Sequence, residues 1–260
     1  NDAGILTGGA FTVGRNIRNA TQDNADTGTR VLTLGGATAD ASAFSGAIYL
    51  GTSGRTSKGL TLTAAAGGQV TFSGIIQETG GTRTQAEIDA AAAIDAITKV
   101  GAGTVVLSGN NSYLGKTVVN EGTLLINGDQ AAATGAVTVN GGALGGSGKV
   151  GGDVAVASGG GLAWNFNGAT GTALTLVAGA LDLASGWTLT LSGTGTPTGD
   201  YDLVYAGSIT GIVAPASIDY GTTGWAGVSV HQASGRLYLT FGSLGDTNGD
   251  GVVDATDYIT

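Results

Sequence analysis

Thr117-Val-Val-Asn-Glu-Gly-Thr-Leu124 recurs 20 residues later as Val137-Thr-Val-Asn-Gly-Gly-Ala-Leu144. A third copy, Val154-Ala-Val-Ala-Ser-Gly-Gly-Gly-Leu162, carries one extra residue, and Gly101-Ala-Gly-Thr-Val-Val-Leu107 is an earlier relative. Taking Gly103, Gly122, Gly142 and Gly160 as equivalent gives spacings of 19, 20 and 18. A period near 20 residues marks a repeat architecture, and it decides the fold before any motif is read.

On either side of these turns, apolar residues alternate with small or polar ones, as in Leu174/Leu176, Leu181/Leu183 and Trp187/Leu189/Leu191. Period-2 alternation is the pattern of strands with one buried face. A unit holding two or three short strands cannot bury that face alone, so it stacks on its neighbours at about 4.8 Å per coil. The expected fold is therefore all-β, a parallel β-helix (β-solenoid). Glycine suits the corners, where the chain turns sharply and the next coil comes close. Asn120 and Asn140, one repeat apart, read first as ordinary left-handed turn residues and second as a stacked asparagine ladder.

Composition agrees and excludes other classes. Of 260 residues 50 are Gly but only 2 are Pro, and the glycines keep no three-residue spacing, so collagen is out. A hydrophobic share of 42% against 11% charged argues against disorder. The formal net charge of −9 repels nucleic acid and anionic lipid, so neither is an expected partner. There is no Cys and no Met, which removes disulfides, thiol catalysis and Cys-based zinc sites, and suits an exposed, oxidising location. No run of 18 apolar residues occurs, so no helical membrane span is expected. The chain opens at Asn1 without Met or an apolar leader, the expectation being that any signal peptide has been removed.

Two segments depart from the repeat. Thr84 and Glu87 form a capping box ahead of an i, i+3 stripe of Ile88, Ala91, Ile94 and Ile97, which predicts a short inserted helix over about 84–97. Between Asp200 and Phe241 the strands become longer and more aromatic, as in Arg236-Leu-Tyr-Leu-Thr-Phe241, and this region is the expected cap on the last coil. Residues 1–243 thus read as the solenoid with its helix and its cap at about 200–241, and residues 244–260 as a separate loop.

The run Ile97-Thr-Lys-Val-Gly-Ala-Gly-Thr-Val-Val-Leu-Ser-Gly-Asn-Asn-Ser-Tyr-Leu-Gly-Lys-Thr-Val-Val-Asn-Glu-Gly-Thr-Leu-Leu-Ile-Asn-Gly128 resembles the autotransporter-associated β-strand repeat. Gly135 to Val154 continues the likeness, and Ala64-Ala-Ala-Gly-Gly-Gln-Val-Thr-Phe-Ser-Gly74 is similar to the rung that precedes that repeat. The resemblance is specific over roughly residues 58–165. It implies a secreted, surface-attached or matrix protein with a parallel β-helix and no catalytic activity of its own. Autotransporters continue into a membrane barrel; residues 166–260 read instead as cap and loop, so secretion by a fused barrel is not the expectation.

One motif carries ligand chemistry. In Asp246-Thr-Asn-Gly-Asp-Gly-Val-Val-Asp-Ala-Thr-Asp257, oxygen ligands fall at positions 1, 3, 5, 9 and 12, namely Asp246, Asn248, Asp250, Asp254 and Asp257. The Val252 carbonyl is available at position 7, and Gly251 at position 6 permits the sharp bend. A hard cation needs such converging short carboxylates, so Ca²⁺ is the expected cofactor. With Asp at position 12 the loop resembles a type I dockerin repeat. A dockerin has two such repeats and this stretch supplies one, so the loop reads as incomplete.

Other chemistry fails on inventory. His231 is the one histidine and reads as structural, without partners for a triad or zinc site. Gly141 to Gly148 lacks the Lys-Ser/Thr ending of a phosphate loop. Residues 98–199 hold three basic residues (Lys99, Lys116, Lys149) and four acidic ones (Glu121, Asp129, Asp153, Asp182), a sparse set for a polysaccharide-cleaving site, with Lys99, Glu121 and Asp153 left open as neighbours. The first reading is a non-enzymatic structural or adhesive protein of the cell surface or extracellular matrix. It self-associates by head-to-tail stacking, or by adding Ala10-Phe-Thr-Val13 to a neighbour's edge. A surface glycan or a cohesin-like partner, and a β-helix enzyme, are the alternatives.

Overall fold

The computed structural model describes residues 3–19, 30–52, 58–79, 96–177 and 179–242. Over these the chain winds as a parallel β-solenoid of nine coils, each laying a strand on the first face and then on the second, and most of them one on the third. The first face is β1 (Ala3–Thr7), β4 (Arg30–Gly36), β7 (Lys58–Ala64), β10 (Ala96–Val100), β12 (Lys116–Val119), β15 (Val137–Val139), β18 (Val154–Val156), β21 (Ala180–Leu183) and β24 (Ser208–Gly211), in that order. The second is β2 (Thr12–Val13), β5 (Ala41–Phe44), β8 (Gln69–Phe72), β11 (Thr104–Leu107), β13 (Thr123–Ile126), β16 (Ala143–Gly145), β19 (Gly161–Asn167), β22 (Thr188–Thr194) and β25 (Ser217–Asp219). Every pair in these two sheets is parallel.

The third face is broken in two. A short sheet holds β3 (Ile17–Arg18), β6 (Ile48–Thr52) and β9 (Ile76–Thr79); a longer one begins β14 (Asp129–Gln130), β17 (Lys149–Val150), β20 (Leu174–Leu176) and β23 (Gly199–Tyr205). The longer sheet ends in the hairpin β26 (Val228–Ala233) and β27 (Arg236–Phe241), where pairing turns antiparallel.

The register places the sequence repeat as its spacing implied. Thr117 pairs with Val137 and Val137 with Val154, while Leu124, Leu144 and Leu162 lie in one column. The residues that follow the four repeat glycines, Thr104, Thr123, Ala143 and Gly161, are successive partners. Gly122 shows why the corner needs glycine: its φ is +62°, and a Cβ there would lie 2.4 Å from the carbonyl oxygens of Gly101 and Gly103 in the coil beneath. The extra residue of the third copy is absorbed at the Ser158–Gly160 corner, leaving both flanking strands in register.

Inward positions form continuous columns. On the second face Val105, Leu124, Leu144, Leu162 and Leu189 are stacked and buried, and Phe44 lies on Phe72 with ring centroids 4.9 Å apart. Each such side chain contributes about 1.5–3 kcal/mol by burial. In β19 and β22 the strands run on beyond the corner, and Trp164 and Phe166 meet Tyr201, Trp225 and Phe241 in an aromatic cluster. Trp164 is fully buried, its Nε1 donating to the Asp202 carbonyl at 3.3 Å.

Two expectations change. Asn120 and Asn140 are a ladder, not left-handed turns: Nδ2 of Asn140 donates to Oδ1 of Asn120 at 3.0 Å, and Ser234 is the non-glycine residue with positive φ among those described. Of the helix expected over about 84–97, residues 84–95 lie outside the described residues, and Ala96 and Ile97 are strand. Ile97 opens β10 with its side chain buried on Leu60, because the period-2 register of Ile97 and Lys99 governs there, not the i, i+3 stripe. Among the described residues no helix is long and apolar enough to cross a membrane.

Candidate functional site

The fourth and fifth coils carry polar groups where the columns are otherwise apolar. On the first face Leu34, Leu62, Lys99, Val119, Val139 and Val156 occupy one inward column, so Lys99 stands where its neighbours are aliphatic. It is 0% exposed. Its stem fills the column, and its Nζ turns to the corner to donate to the carbonyls of Val100 (2.9 Å), Gly101 (2.6 Å) and Glu121 (3.0 Å). Three acceptors match the three N–H bonds of an ammonium. Burial lowers its pKa from 10.5 to about 8, the Glu121 carboxylate opposing. Glu121 Oε2 accepts from the Gly101 N–H at 3.0 Å, so Lys99 and Glu121 together tie one coil to the next.

A second buried polar group lies on the other side of the same coils. The Tyr113 hydroxyl is 2.8 Å from Thr117 Oγ1 and donates to Gln130 Oε1 at 3.2 Å, all three side chains being buried. Burial pushes the Tyr113 phenol up to about 12, the Thr117 hydroxyl opposing. Here the third face lacks a strand, and two asparagines complete it. Asn111 Oδ1 accepts from the Ile76 N–H of β9 at 2.8 Å, and Asn110 Oδ1 accepts from the Asp129 N–H of β14 at 3.1 Å. Side-chain amides thus stand in for the missing main-chain acceptors. The amide nitrogens of Asn111 and Gln130 have no hydrogen-bond partner among the described residues.

These groups are enclosed and mutually engaged, which makes them braces between coils. Charged groups elsewhere are dispersed. Lys149 pairs with Asp129 at 2.7 Å on the surface, and Arg236 pairs with Asp202, which Tyr205 also contacts. Asp153, left open as a neighbour of Lys99 and Glu121, instead accepts from the Ala180 N–H at 2.8 Å at the start of β21. His231 is exposed on β26, its ring stacked on Tyr238 at 5.3 Å, so it belongs to the hairpin surface and not to the core. Among the described residues no three His, Cys, Asp or Glu side chains gather in a metal-binding group. The loop residues Asp246, Asn248, Asp250, Val252, Asp254 and Asp257 lie outside the described residues.

The exposed surface is the remaining candidate. It comprises the outward faces of the two long sheets, where threonine recurs, as in the column Thr33, Thr61, Thr98, Val118 and Thr138. It also includes the first coil. Ile5, which pairs with Leu34, is 41% exposed, and Phe11 is 63% exposed. Ile5, Leu6, Phe11 and Val13 line a shallow hollow there.

Residues 97–126 match the passenger-associated-transport-repeat family. That span is the fourth coil with the first two strands of the fifth, and it contains Lys99, Asn110, Asn111, Tyr113 and Thr117. The adhesin BmaC autotransporter of Brucella suis biovar 1 (strain 1330) is 57% identical over 67 residues, 25% of this chain and 2% of that protein. The chain thus carries an autotransporter-associated repeat on a β-solenoid, and it corresponds to a small fraction of the length of the curated relative it matches.

Proposed function

We propose that this chain is a non-enzymatic adhesive β-solenoid, secreted and displayed at a bacterial cell surface or in the extracellular matrix, whose working part is its extended outer surface. The likeness to an autotransporter adhesin over a quarter of the chain carries this reading. The stack of coils supports it, because a solenoid core leaves its outward faces free for recognition. Self-association of copies is part of the reading. So is a calcium-stabilised C-terminus, in which Asp246, Asn248, Asp250, Asp254 and Asp257 with the Val252 carbonyl hold Ca²⁺ in a dockerin-like loop.

Two measurements test it. Beads coated with the purified chain are expected to be retained on immobilised surface glycans or on bacterial cells; retention no greater than for uncoated beads overturns the adhesive reading. Calcium is expected to raise the melting temperature, as any ligand of the folded state does, with EDTA reversing the shift and Asp250→Ala with Asp254→Ala abolishing it. A melting temperature indifferent to calcium removes the metal from the proposal.

A further inference from the structure

We infer that the core between the fourth and fifth coils binds one enclosed water molecule, held by the side-chain amides of Asn111 and Gln130, which carries the third face across the coil that has no strand there. The site is independent of the adhesive reading.

Corner glycines fix the alignment. A Cβ on Gly74, Gly109, Gly128 or Gly148 would lie 2.1–2.3 Å from the carbonyl oxygen of Gly46, Gly74, Gly109 or Gly128 respectively, so these glycines stack coil on coil. Two residues after Gly74, Gly109, Gly128 and Gly148 come Ile76, Asn111, Gln130 and Val150. The ladder bonds agree. The Ser112 N–H donates to the Ile76 carbonyl, which in a parallel pair makes Asn111 the partner of Ile76, and Gln130 pairs with Val150. Ile48, Ile76, Asn111, Gln130, Val150 and Leu176 are therefore one inward column, each at most 4% exposed. Two amides on adjacent coils, about 4.8 Å apart, interrupt a run of aliphatic side chains.

The oxygens of these amides are engaged and the nitrogens are not. Asn111 Oδ1 accepts from the Ile76 N–H and Gln130 Oε1 from the Tyr113 hydroxyl. Asn111 Nδ2 and Gln130 Nε2, both shut off from solvent, meet no acceptor among the described residues. Turning the Asn111 amide over would set its nitrogen against the Ile76 N–H, donor against donor. Buried donors of this kind are costly to leave unmatched, and an enclosed water with about three hydrogen bonds is the usual way a protein matches them.

The chemistry of the site suits water. Each N–H···O bond is about 2.9 Å long, so one oxygen reaches two nitrogens up to about 5.8 Å apart, more than the spacing of one coil. Lone pairs remain for the hydrogens of that water on the two amide oxygens and on Thr117 Oγ1. Asn111, Tyr113, Thr117 and Gln130 are uncharged, so the site offers an anion no countercharge. In the third face, β9 ends the short sheet and β14 begins the long one. Asn111 Oδ1 already reaches back to β9, and the water carries that link forward to Gln130 of β14.

Nuclear magnetic resonance of the isotope-labelled chain reads the site directly. Rotating-frame Overhauser contacts, whose sign separates a bound water from proton exchange, are expected between the water resonance and the side-chain amide protons of both Asn111 and Gln130. Gln130→Met keeps an unbranched side chain of similar size and leaves Tyr113 its bond to Thr117. It is expected to abolish the water contact at Asn111 as well. Contacts between the two amides with none to water would mean that they bond each other directly, which overturns the inference. An Asn111 contact of full strength in Gln130→Met overturns it too, since the water is then not shared. Should that variant fail to fold, the wild-type spectrum still decides: water contacts at both amides uphold the site, and their absence at either one removes it.

Discussion

Lys99 sits in an aliphatic column because three carbonyls at the corner replace the water its ammonium gives up. Its folded pKa, about 8, is below the 10.5 of the free side chain. Between those values the unfolded chain binds more protons, so stability rises with pH across that window. Measured by urea unfolding from pH 8 to 10.5, the wild type is expected to gain on Lys99→Met, which keeps the stem and removes the titration. A difference that stays flat would mean the ammonium is no less favoured inside than out. The sequence left Lys99 and Glu121 open as neighbours, and the two do meet; what charge alone did not announce is that Lys99 shares its inward column with Leu62 and Val119. Asn120 and Asn140 were easier, because a 20-residue spacing already set them one above the other, although deciding between turn and ladder needed the backbone angles.

At the level of the element, the two continuous faces were legible and the third was not. Repeats with Gly corners and period-2 strands specify parallel ladders wherever the unit length is nearly constant. The fourth coil breaks that rule, and Asn110 and Asn111 bridge the gap with side chains that no strand pattern announces. Asn111 is buried and Asn110 exposed. Asn111→Ala is therefore expected to cost about 1–3 kcal/mol by orphaning the buried Ile76 N–H, and Asn110→Ala less, since water reaches the Asp129 N–H. Equal losses in chemical denaturation would count against the bridging role. Of the helical stripe only its last residue, Ile97, lies among the described residues, and there the ladder between Leu60 and Thr117 overrides local propensity.

For the whole molecule, the stack is a one-dimensional object whose neighbouring coils carry nearly all of its long-range contacts, with the aromatic cluster around Trp164 and the hairpin β26–β27 giving its last coils a different texture. A sequence of this composition declared its architecture through its period alone. Its candidate sites were less legible, because recognition by a solenoid depends on columns assembled from residues some 20 positions apart. The ladder bonds run along the stack axis, while the covalent chain runs across it. A pull along that axis therefore loads a few hydrogen bonds at a time and peels coils off singly. Between Thr117 and Val137, one coil stores 20 residues. Released, they span about 70 Å in place of the ~4.8 Å that the coil occupied. Single-molecule stretching is expected to give a sawtooth of unequal steps, shortest for the coil between Val139 and Val156 and longest for that between Leu62 and Lys99, the behaviour of a tether that lengthens under load before it lets go.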